Sequence, residues 1–311
     1  GDHRDLHSFP TRRSSDLKDH TKGEHIMALL HLNLNSKYLS GNTDVNIIMP
    51  DLPRGKSPSE FYMSDKKYPV LWLLHGTFND YSQWVRMTNV ELYAEEKNLI
   101  VVMPTAHNTD YANWPGFGTG YNMFDYLTEE LMPLVYGWLP ASQAREDNFI
   151  AGLSMGGRGA IMYAYEYPEK FAAVYSMSCV PQDIRPAAED AMSGEPSANP
   201  WAALDRARTM ARLNNTGGLE GYLNGPQNTW DRTAEVAKRD GNPKMYFTCG
   251  TSDFVMYEHY LKFKAYAEEV GLDAEFKEIE GYNHEWRFWE LCIQDAIEKF
   301  LPGDDKAGNA F

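Results

Sequence analysis

A serine between glycines follows an apolar run in the middle of the chain. Residues 148–157 read NFIAGLSMGG, in which an apolar strand runs directly into the pattern Gly-x-Ser-x-Gly-Gly. A strand that turns at once into a helix crowds its own backbone, so Gly152 and Gly156, on either side of the serine, must lack side chains. The pattern predicts a strand, a sharp turn and a helix that expose Ser154 as a nucleophile. The alternative interpretation is an ordinary structural turn.

An alcohol is a weak nucleophile at neutral pH, so Ser154 needs a basic side chain within hydrogen-bond distance. His284 is the best candidate, because it follows the last predicted strand and is expected at the same edge of the sheet as the serine. His75 is expected to hydrogen-bond the backbone of its own loop. Three other histidines after residue 26 are not expected beside the serine. They are His31 in a predicted edge strand, His107 in a predicted loop and His259 in a predicted helix.

A carboxylate must hold that imidazole in the correct tautomer. Asp253 ends the sequence GTSD, directly after the predicted strand Lys244 to Cys249, and is expected at the same edge of the sheet. Its alternative role is an N-cap for the helix that follows, which aspartate fills readily. Asp183 is the second candidate for the acid, because it follows the preceding predicted strand.

Acyl transfer also requires hydrogen-bond donors for the developing oxyanion, each worth about 3 kcal/mol. The main-chain N–H of Met155, at the start of the helix after the serine, is predicted to be one donor. The second is expected in the loop after the strand that ends at Leu74, where Thr77 is the first choice and Phe78 the second.

Several apolar runs predict a sheet that carries these residues. Tyr68 to Leu74 and Leu99 to Pro104 are apolar throughout, which is typical of central strands covered on both faces. Leu30 to Leu39 and Thr43 to Met49 alternate instead, as expected for two antiparallel strands. Predicted helices separate most of the strands. This order predicts an α/β fold in which a mostly parallel central sheet is covered by helices on both faces.

The helices are predicted from apolar periodicity and from the residues that start or stop helices. Val90 to Lys97 follows Asn89 as an N-cap, and Phe124 to Trp138 contains Pro133, which must lie at a kink or break. The remaining predicted elements are strands at Phe171 to Val180, Lys244 to Cys249 and Ala274 to Ile279 and helices at Val255 to Val270 and Glu285 to Phe300.

Pro181 to Gly241 separates two predicted strands by about sixty residues, far more than a simple crossover needs. Because part of it, Ala202 to Leu213, is helical in character, we expect a cap over the carboxyl edge of the sheet that shapes the substrate pocket. Tryptophans in loops or in the cap are candidates to stack on an aromatic acyl group or a sugar, with internal packing as the alternative. They are Trp84, Trp114, Trp201 and Trp230.

The native domain is predicted to span residues 27–303 as a single unit, with the cap insertion at about 181–241. Residues 1–26 contain four of the nine histidines, show no periodicity and resemble a translated sequencing adapter. We therefore expect them to be a non-native or disordered leader, and residues 304–311 to be a tail.

The composition limits the classes of partner that the chain is expected to bind. With 311 residues, 43% of them hydrophobic, it is large enough for one α/β domain. The net charge of −15, without a basic stripe, argues against nucleic acid and disfavours anionic substrates unless the pocket carries its own cation. Three widely spaced cysteines predict buried thiols and no metal site. Without a membrane span or a signal-peptide pattern, the predicted location is cytoplasmic.

Together these motifs resemble the esterase D-like branch of the α/β-hydrolases, which contains tributyrin-type acyl esterases, feruloyl esterases and S-formylglutathione hydrolases. The resemblance implies that Ser154, Asp253 and His284 form a catalytic triad. It also implies an oxyanion hole at the main-chain N–H groups of Thr77 and Met155, and neither a cofactor nor a metal. The motifs that carry it, within Leu30 to Leu301, are LLHG at 73–76, YAEE at 93–96, GLSMGG at 152–157, CGTSDF at 249–254 and HEW at 284–286.

The resemblance implies a serine carboxylesterase that hydrolyses esters of short-chain or hydroxycinnamoyl acids, including plant-wall-derived esters, through an acyl-enzyme. The alternatives are an acyltransferase to a sugar or alcohol, an S-formylglutathione hydrolase and a binding protein without catalysis. The glutathione thioester is the minor candidate as a substrate. The oxyanion loop of this chain reads HGTF at 75–78, whereas the same loop of S-formylglutathione hydrolases has a sequence similar to Ser-Gly-Leu-Thr-Cys. The oligomeric state is left open, with a homo-oligomer among the forms considered.

Overall fold

A computed structural model describes residues 26–53, 55–194 and 199–303. Within these ranges, eight strands form one sheet and two short strands form a separate hairpin. The strands are β1 (Ile26–Ser36), β2 (Gly41–Asp51), β3 (Val70–Leu74), β4 (Ile100–Pro104), β5 (Asn113–Trp114), β6 (Tyr121–Asn122), β7 (Asn148–Leu153), β8 (Ala173–Met177), β9 (Lys244–Gly250) and β10 (Glu275–Ile279). The order across the large sheet is β1-β2-β4-β3-β7-β8-β9-β10.

The large sheet is parallel except at one edge. β1 pairs antiparallel with β2, and β2 pairs antiparallel with β4. Every other neighbouring pair in the sheet is parallel. The predicted mostly parallel sheet with two antiparallel opening strands is therefore confirmed. Because parallel strands end at a common edge, the loops after β3, β7, β8, β9 and β10 lie along that edge.

The helices in the described ranges are α1 (Pro58–Tyr62), α2 (Gln83–Met87), α3 (Val90–Lys97), α4 (Met123–Asp125), α5 (Met132–Trp138), α6 (Met155–Glu166), α7 (Arg185–Met192), α8 (Pro200–Thr216), α9 (Leu219–Leu223), α10 (Thr229–Val236), α11 (Tyr257–Val270) and α12 (Trp286–Phe300). A π-helical turn, Tyr126–Leu131, joins α4 to α5. The helix predicted over Phe124 to Trp138 is thus one run whose hydrogen-bond pattern changes. Pro133, which has no N–H to donate, closely follows the π-helical turn, where the regular hydrogen-bond pattern of the helix is already interrupted.

Asn89 precedes α3 as predicted, but the prediction that its side chain caps the helix is wrong. Its amide nitrogen donates to Glu290 Oε1 at 2.5 Å, and its main-chain N–H donates to Glu290 Oε2 at 2.9 Å. The hydroxyl of Tyr93 donates to the same carboxylate at 2.6 Å. The carboxylate of Glu290, on α12, therefore accepts hydrogen bonds from Asn89 and Tyr93 and links α3 to α12.

Side chains of the central strands alternate between two buried layers, as the period of a strand requires. On β3, Val70, Trp72 and Leu74 pack into one layer, whereas Leu71 and Leu73 pack into the other. The first layer contains residues of α5, α6, α10 and α11, and the second contains residues of α3 and α12. The predicted helix cover on both faces of the sheet is confirmed.

Between β8 and β9, the described chain forms α7, α8, α9 and α10. α7, α8 and α9 share a small apolar core of Ile184, Ala188, Leu213 and Tyr222, whereas α10 packs against the main core. Arg212 on α8 donates to the carboxylate of Asp110 at 2.6 and 3.1 Å, and the amide of Asn215 donates to the carbonyl of Asn113 at 2.7 Å. Because Asp110 lies in the loop that follows β4 and Asn113 in β5 directly after it, α8 lies over the carboxyl edge of the sheet.

The predicted leader and tail fall outside most of the described structure. Ile26 already belongs to β1, one residue before the predicted start of the domain, and the rest of the leader lies outside the described residues. Residues 304–311 also lie outside them. The single-domain boundaries stay a prediction.

The three cysteines are buried free thiols, as predicted: Cys179, Cys249 and Cys292. In the part of the chain that the structure describes, no group of three or more His, Cys, Asp or Glu side chains is arranged to hold a metal ion. None of the helices described above is long and apolar enough to cross a membrane. The cytoplasmic location stays a prediction.

The start of α6 packs against the end of β3 without room for a side chain. A Cβ atom added to Gly156 would lie 2.3 Å from the carbonyl oxygen of Leu74 and 2.7 Å from that of His75. A Cβ atom added to Gly152 would lie 2.3 Å from the backbone of Gly156. Both glycines that flank the serine are therefore required by backbone packing.

Gly156→Ala should destabilise the fold by about 3 kcal/mol, because the added methyl group overlaps two carbonyl groups that cannot move independently of β3. Urea unfolding measures the change. Gly137→Ala is the matched control, since a Cβ atom there meets nothing within 4 Å and alanine favours α5. An unfolding midpoint of Gly156→Ala equal to that of the wild type would contradict the packing argument.

Candidate active site

Ser154 lies at the junction of β7 and α6. Its backbone has φ 51° and ψ −117°, a region that residues other than glycine rarely adopt. Its N–H donates to the carbonyl of Met177 at 2.8 Å, and its carbonyl accepts from the N–H of Arg158 at 3.1 Å. These contacts and the glycine packing hold the strained turn, which presents the half-buried serine at the carboxyl edge of the sheet.

His284 lies in the loop between β10 and α12. Its Nε2 is 3.0 Å from Ser154 Oγ, within hydrogen-bond distance. The indole of Trp289 meets the imidazole edge to face, with ring centroids 5.1 Å apart. The main-chain N–H of His284 donates to Asn283 Oδ1 at 2.8 Å, which fixes the loop. The imidazole is therefore placed to accept the serine proton.

Asp253 is buried in the loop after β9. Its Oδ2 is 2.9 Å from His284 Nδ1, and its Oδ1 accepts from the N–H groups of Val255 and Met256 at 3.0 Å each. The aspartate thus fills both roles considered from the sequence, since it orients the imidazole and caps the turn before α11. Burial raises the pKa of this carboxyl, but hydrogen bonds from His284, Ser178 and Met256 and the charge of His284 hold the pKa below its usual value. The carboxylate is ionised at neutral pH and retains the proton on Nδ1.

Ser178 is a site residue that the sequence did not indicate. It follows β8 with φ +49°, and its N–H donates to the carbonyl of Thr248 at 2.8 Å. Its hydroxyl accepts from Trp289 Nε1 at 3.1 Å, and its polar interaction with Asp253 lowers the pKa of that carboxyl. Ser178 therefore connects the indole beside the imidazole to the aspartate that orients it. A serine after a strand has no distinctive sequence context, so no signal could have found it.

His75 fixes the loop after β3. Its Nδ1 lies 2.7 Å from the carbonyl of Gly76, and its Nε2 accepts from the N–H of Ala106 at 2.9 Å. Burial lowers the pKa of His75 to about 4, so the ring is neutral, with one nitrogen donating and the other accepting. The prediction that His75 hydrogen-bonds its own loop is confirmed.

The two predicted oxyanion donors flank Ser154. The main-chain N–H groups of Thr77 and Met155 have no acceptor among the described residues. A Cβ atom added to Gly76 would lie 3.5 Å from Ser154 Cβ, so this loop lies directly against the serine. Phe78, the second candidate, is not available, because its N–H donates to Asn108 Oδ1 at 2.8 Å. Thr77 and Met155 therefore keep free main-chain N–H groups in the two segments that adjoin Ser154, and their role as oxyanion donors stays a prediction.

Asp183, the second candidate for the acid, lies elsewhere. Its Oδ1 accepts from the main-chain N–H of Arg185 at 3.0 Å and from Arg185 Nη1 at 2.8 Å. This exposed pair stabilises the start of α7. Of the two aspartates, the structure brings only Asp253 into contact with His284.

Two of the tryptophans predicted to contact a substrate pack against other parts of the protein, one fully and one partly buried. Trp84 is fully buried in α2, and its Nε1 donates to the carbonyl of Leu74 at 3.2 Å. Trp230 on α10 stacks on Tyr266 of α11, with ring centroids 4.5 Å apart, and packs against the core. An indole enclosed as that of Trp84 is cannot stack on a substrate, so the substrate-binding prediction is wrong for Trp84, whereas for the partly buried Trp230 it stays a prediction.

The other two tryptophans have more open positions. Trp114 in β5 is partly buried and donates its Nε1 to the carbonyl of Thr109 at 2.8 Å. Trp201, in the first turn of α8, has 68% of its surface exposed. Substrate contact by Trp114 and Trp201 stays a prediction.

The chain matches known esterases along most of its length. A family model described as "Putative esterase" matches residues 37–296. A curated acetyl esterase from Caldicellulosiruptor saccharolyticus is 27% identical over 283 residues, which cover 88% of this chain and 97% of that protein.

Two solved structures from Staphylococcus aureus have a similar fold. An S-formylglutathione hydrolase is 29% identical with a TM-score of 0.69, and its alignment covers 89% of this chain and 99% of that one. A fluorophosphonate-binding serine hydrolase is 28% identical with a TM-score of 0.70 and the same coverage of both chains. The fold is that of an α/β-hydrolase, as the sequence predicted.

Ser178→Ala should lower kcat for a nitrophenyl ester about fivefold with KM little changed, because one hydrogen bond that orients Asp253 is worth about 1 kcal/mol. Steady-state kinetics measure both constants. Ser142→Ala is the matched control, since Ser142 also donates to a carboxylate, that of Asp147 at 2.6 Å, but precedes β7 at the opposite edge of the sheet. An unchanged kcat, or a change confined to KM, would remove Ser178 from the positioning of the acid.

Proposed function

The chain belongs to the esterase family and is a carboxylic ester hydrolase, and we propose that Ser154, His284 and Asp253 act as its nucleophile, base and acid. The observation that carries the proposal is the hydrogen-bonded chain of 3.0 Å from Oγ to Nε2 and 2.9 Å from Nδ1 to Oδ2. The three residues are separated by 130 and 31 positions, so their contact depends on the whole sheet. Acyl transfer requires a nucleophile, a base in contact with it and a group that orients the base.

In the proposed first half-reaction, Ser154 Oγ attacks the ester carbonyl while His284 Nε2 takes the hydroxyl proton. Asp253 keeps the other imidazole proton on Nδ1 and stabilises the positive charge that forms on the ring. The N–H groups of Thr77 and Met155 stabilise the oxyanion of the tetrahedral intermediate. When the intermediate collapses, His284 returns its proton to the leaving alcohol, and the acyl group stays on Ser154.

In the second half-reaction, water takes the place of the alcohol. His284 removes a proton from the water, whose oxygen attacks the acyl carbonyl, and the same N–H groups hold the oxyanion. The bond to Ser154 Oγ breaks, the serine recovers its proton from His284, and the carboxylic acid leaves. An alcohol or sugar that takes the place of this water would instead give acyl transfer, the alternative activity.

We favour short-chain acyl esters as the substrate class, since a curated relative at 27% identity is an acetyl esterase. Hydroxycinnamoyl esters, including plant-wall-derived ones, are the alternative, and the exposed Trp201 supports them because an indole can stack on an aromatic acid. S-formylglutathione hydrolysis is a second candidate function, supported by a solved relative of that name at 29% identity.

Ser154→Ala should reduce hydrolysis of 4-nitrophenyl butyrate by about 10⁴-fold or more, because no other group can form the acyl-enzyme. Mass spectrometry of the wild type mixed with 4-nitrophenyl acetate should find an acetyl group on the peptide that contains Ser154. Hydrolysis retained by the variant would refute the proposed nucleophile.

A panel of nitrophenyl acetate, butyrate and octanoate with methyl ferulate should show the highest kcat/KM for acetate or butyrate. The highest value for methyl ferulate would instead select hydroxycinnamoyl esters.

Asp253→Asn should lower kcat by about 10⁴-fold, because the amide stabilises the wrong imidazole tautomer. Asp183→Asn is the matched control and should change kcat less than about twofold, since the carboxylate of Asp183 pairs with Arg185. Both rates are measured with 4-nitrophenyl butyrate. Near-normal turnover of Asp253→Asn together with a loss in Asp183→Asn would reverse the assignment of the acid.

A further inference from the structure

Three arginines from two helices surround one buried aspartate near Ser154. The side chain of Asp110 is 7% exposed and accepts hydrogen bonds from Arg212 Nε at 2.6 Å and Nη2 at 3.1 Å. Arg208 Nη2, also from α8, lies 3.6 Å from Asp110 Oδ1. Arg158, on α6, interacts electrostatically with the same carboxylate. The cluster joins the cap to the body of the protein.

Two of these arginines adjoin the nucleophile. Arg158 follows Ser154 by one turn of α6, and its N–H donates to the serine carbonyl at 3.1 Å. Arg208 Nη2 donates to Thr77 Oγ1 at 3.1 Å, and the N–H of Thr77 is the proposed oxyanion donor. The guanidinium of Arg208 therefore lies on the oxyanion side of the site, and Arg158 adds its charge to the same cluster around Asp110.

The positive charges of the cluster exceed its negative charges. Arg212 hydrogen-bonds both carboxylate oxygens of Asp110. Among the described residues that interact electrostatically with Arg208, the only other carboxylate is the exposed Asp205. Burial lowers the pKa of Arg208, and repulsion from Arg212 and Arg158 lowers it further. Three cations therefore face two carboxylates, in a chain whose net charge is −15.

The anchoring of the cap needs only Arg212, whose two hydrogen bonds to Asp110 satisfy that carboxylate. Arg208 keeps 29% of its side chain exposed, so a ligand can reach it, whereas the half-buried Arg158 also interacts with the hydroxyl of the buried Tyr222. His259 on α11 also interacts with Arg158, and burial lowers the pKa of that imidazole, so it adds no charge at neutral pH. The cluster thus carries one positive charge more than its two carboxylates balance.

We propose that Arg158 and Arg208 form a cationic subsite that binds a carboxylate carried by the ester substrate. A guanidinium presents paired N–H donors in a plane, which match the two oxygens of a carboxylate. The inference rests on the proposed function, because the ester must occupy Ser154 for its carboxylate to reach the subsite. A protein with so large a negative charge disfavours anionic substrates unless its pocket carries a cation, and the proposed subsite supplies that cation.

The test compares esters that differ only in charge. For a carboxylate on the alcohol side, the pair is 4-acetoxybenzoate and its methyl ester. For a carboxylate on the acyl side, the pair is monomethyl glutarate and dimethyl glutarate. Within each pair, the ratio of kcat/KM for the charged ester to that for the neutral ester is measured in the wild type, Arg158→Gln and Arg208→Gln. Intrinsic differences in reactivity cancel when these ratios are compared between variants.

In at least one pair, each glutamine variant should lower the ratio about tenfold, mainly through KM of the charged ester, which corresponds to about 1.4 kcal/mol. Arg208→Lys should recover part of the ratio, since it keeps the charge. Added sodium chloride should lower the ratio in the wild type and have little effect in the glutamine variants. Arg206→Gln is the matched control, because Arg206 lies on the same helix but pairs with Asp190 of α7.

Equal losses on charged and neutral esters in both pairs, or unchanged ratios, would overturn the subsite and leave the proposed function intact. Calorimetry on Ser154→Ala gives a readout without turnover, since this variant should bind 4-acetoxybenzoate more tightly than Ser154→Ala/Arg208→Gln does. Equal affinities would also overturn the subsite. Failure of the proposed function is distinguishable, because it appears as hydrolysis that survives Ser154→Ala.

Discussion

The hydrogen bond between the buried carboxylate of Asp253 and the imidazole of His284 is the interaction on which the proposed chemistry depends. A buried carboxylate is costly unless its charge is compensated, and here His284, Ser178 and two main-chain N–H groups compensate it. The ionised carboxylate holds the proton on Nδ1, so Nε2 faces Ser154 as an acceptor. Without that tautomer, the serine has no base, however well the oxyanion donors are placed.

The parallel sheet is the means by which distant segments reach this arrangement. The nucleophile follows β7, the acid follows β9 and the base follows β10, so all three lie at the edge where parallel strands end. Positive φ angles at Ser154 and Ser178 turn the chain sharply at two adjacent strand ends. The glycines beside Ser154 allow α6 to approach β3 closely, and the same packing supports the backbone strain at the nucleophile.

Features that depend on local sequence could be predicted. Ser154 was found from flanking glycines, and Asp253 and His284 were found because each follows a strand at a known edge. Features that depend on a distant partner could not. Ser178 contacts Trp289 across 111 positions, and Arg208 contacts Thr77 across 131, so neither role has a local pattern. The same limit explains why the prediction for Trp84 was wrong. The sequence places this residue in a loop, but distant parts of the fold bury its indole.

The most direct test of the central claim is the protonation of the His284 ring in the resting protein, measured by ¹⁵N and ¹H NMR of histidine-labelled protein at neutral pH. The geometry predicts that the uncharged form of the ring carries its proton on Nδ1, with a strongly downfield Nδ1–H resonance and a bare Nε2. A ring that carries its proton on Nε2, with Nδ1 bare, would contradict the assignment of Asp253 and His284.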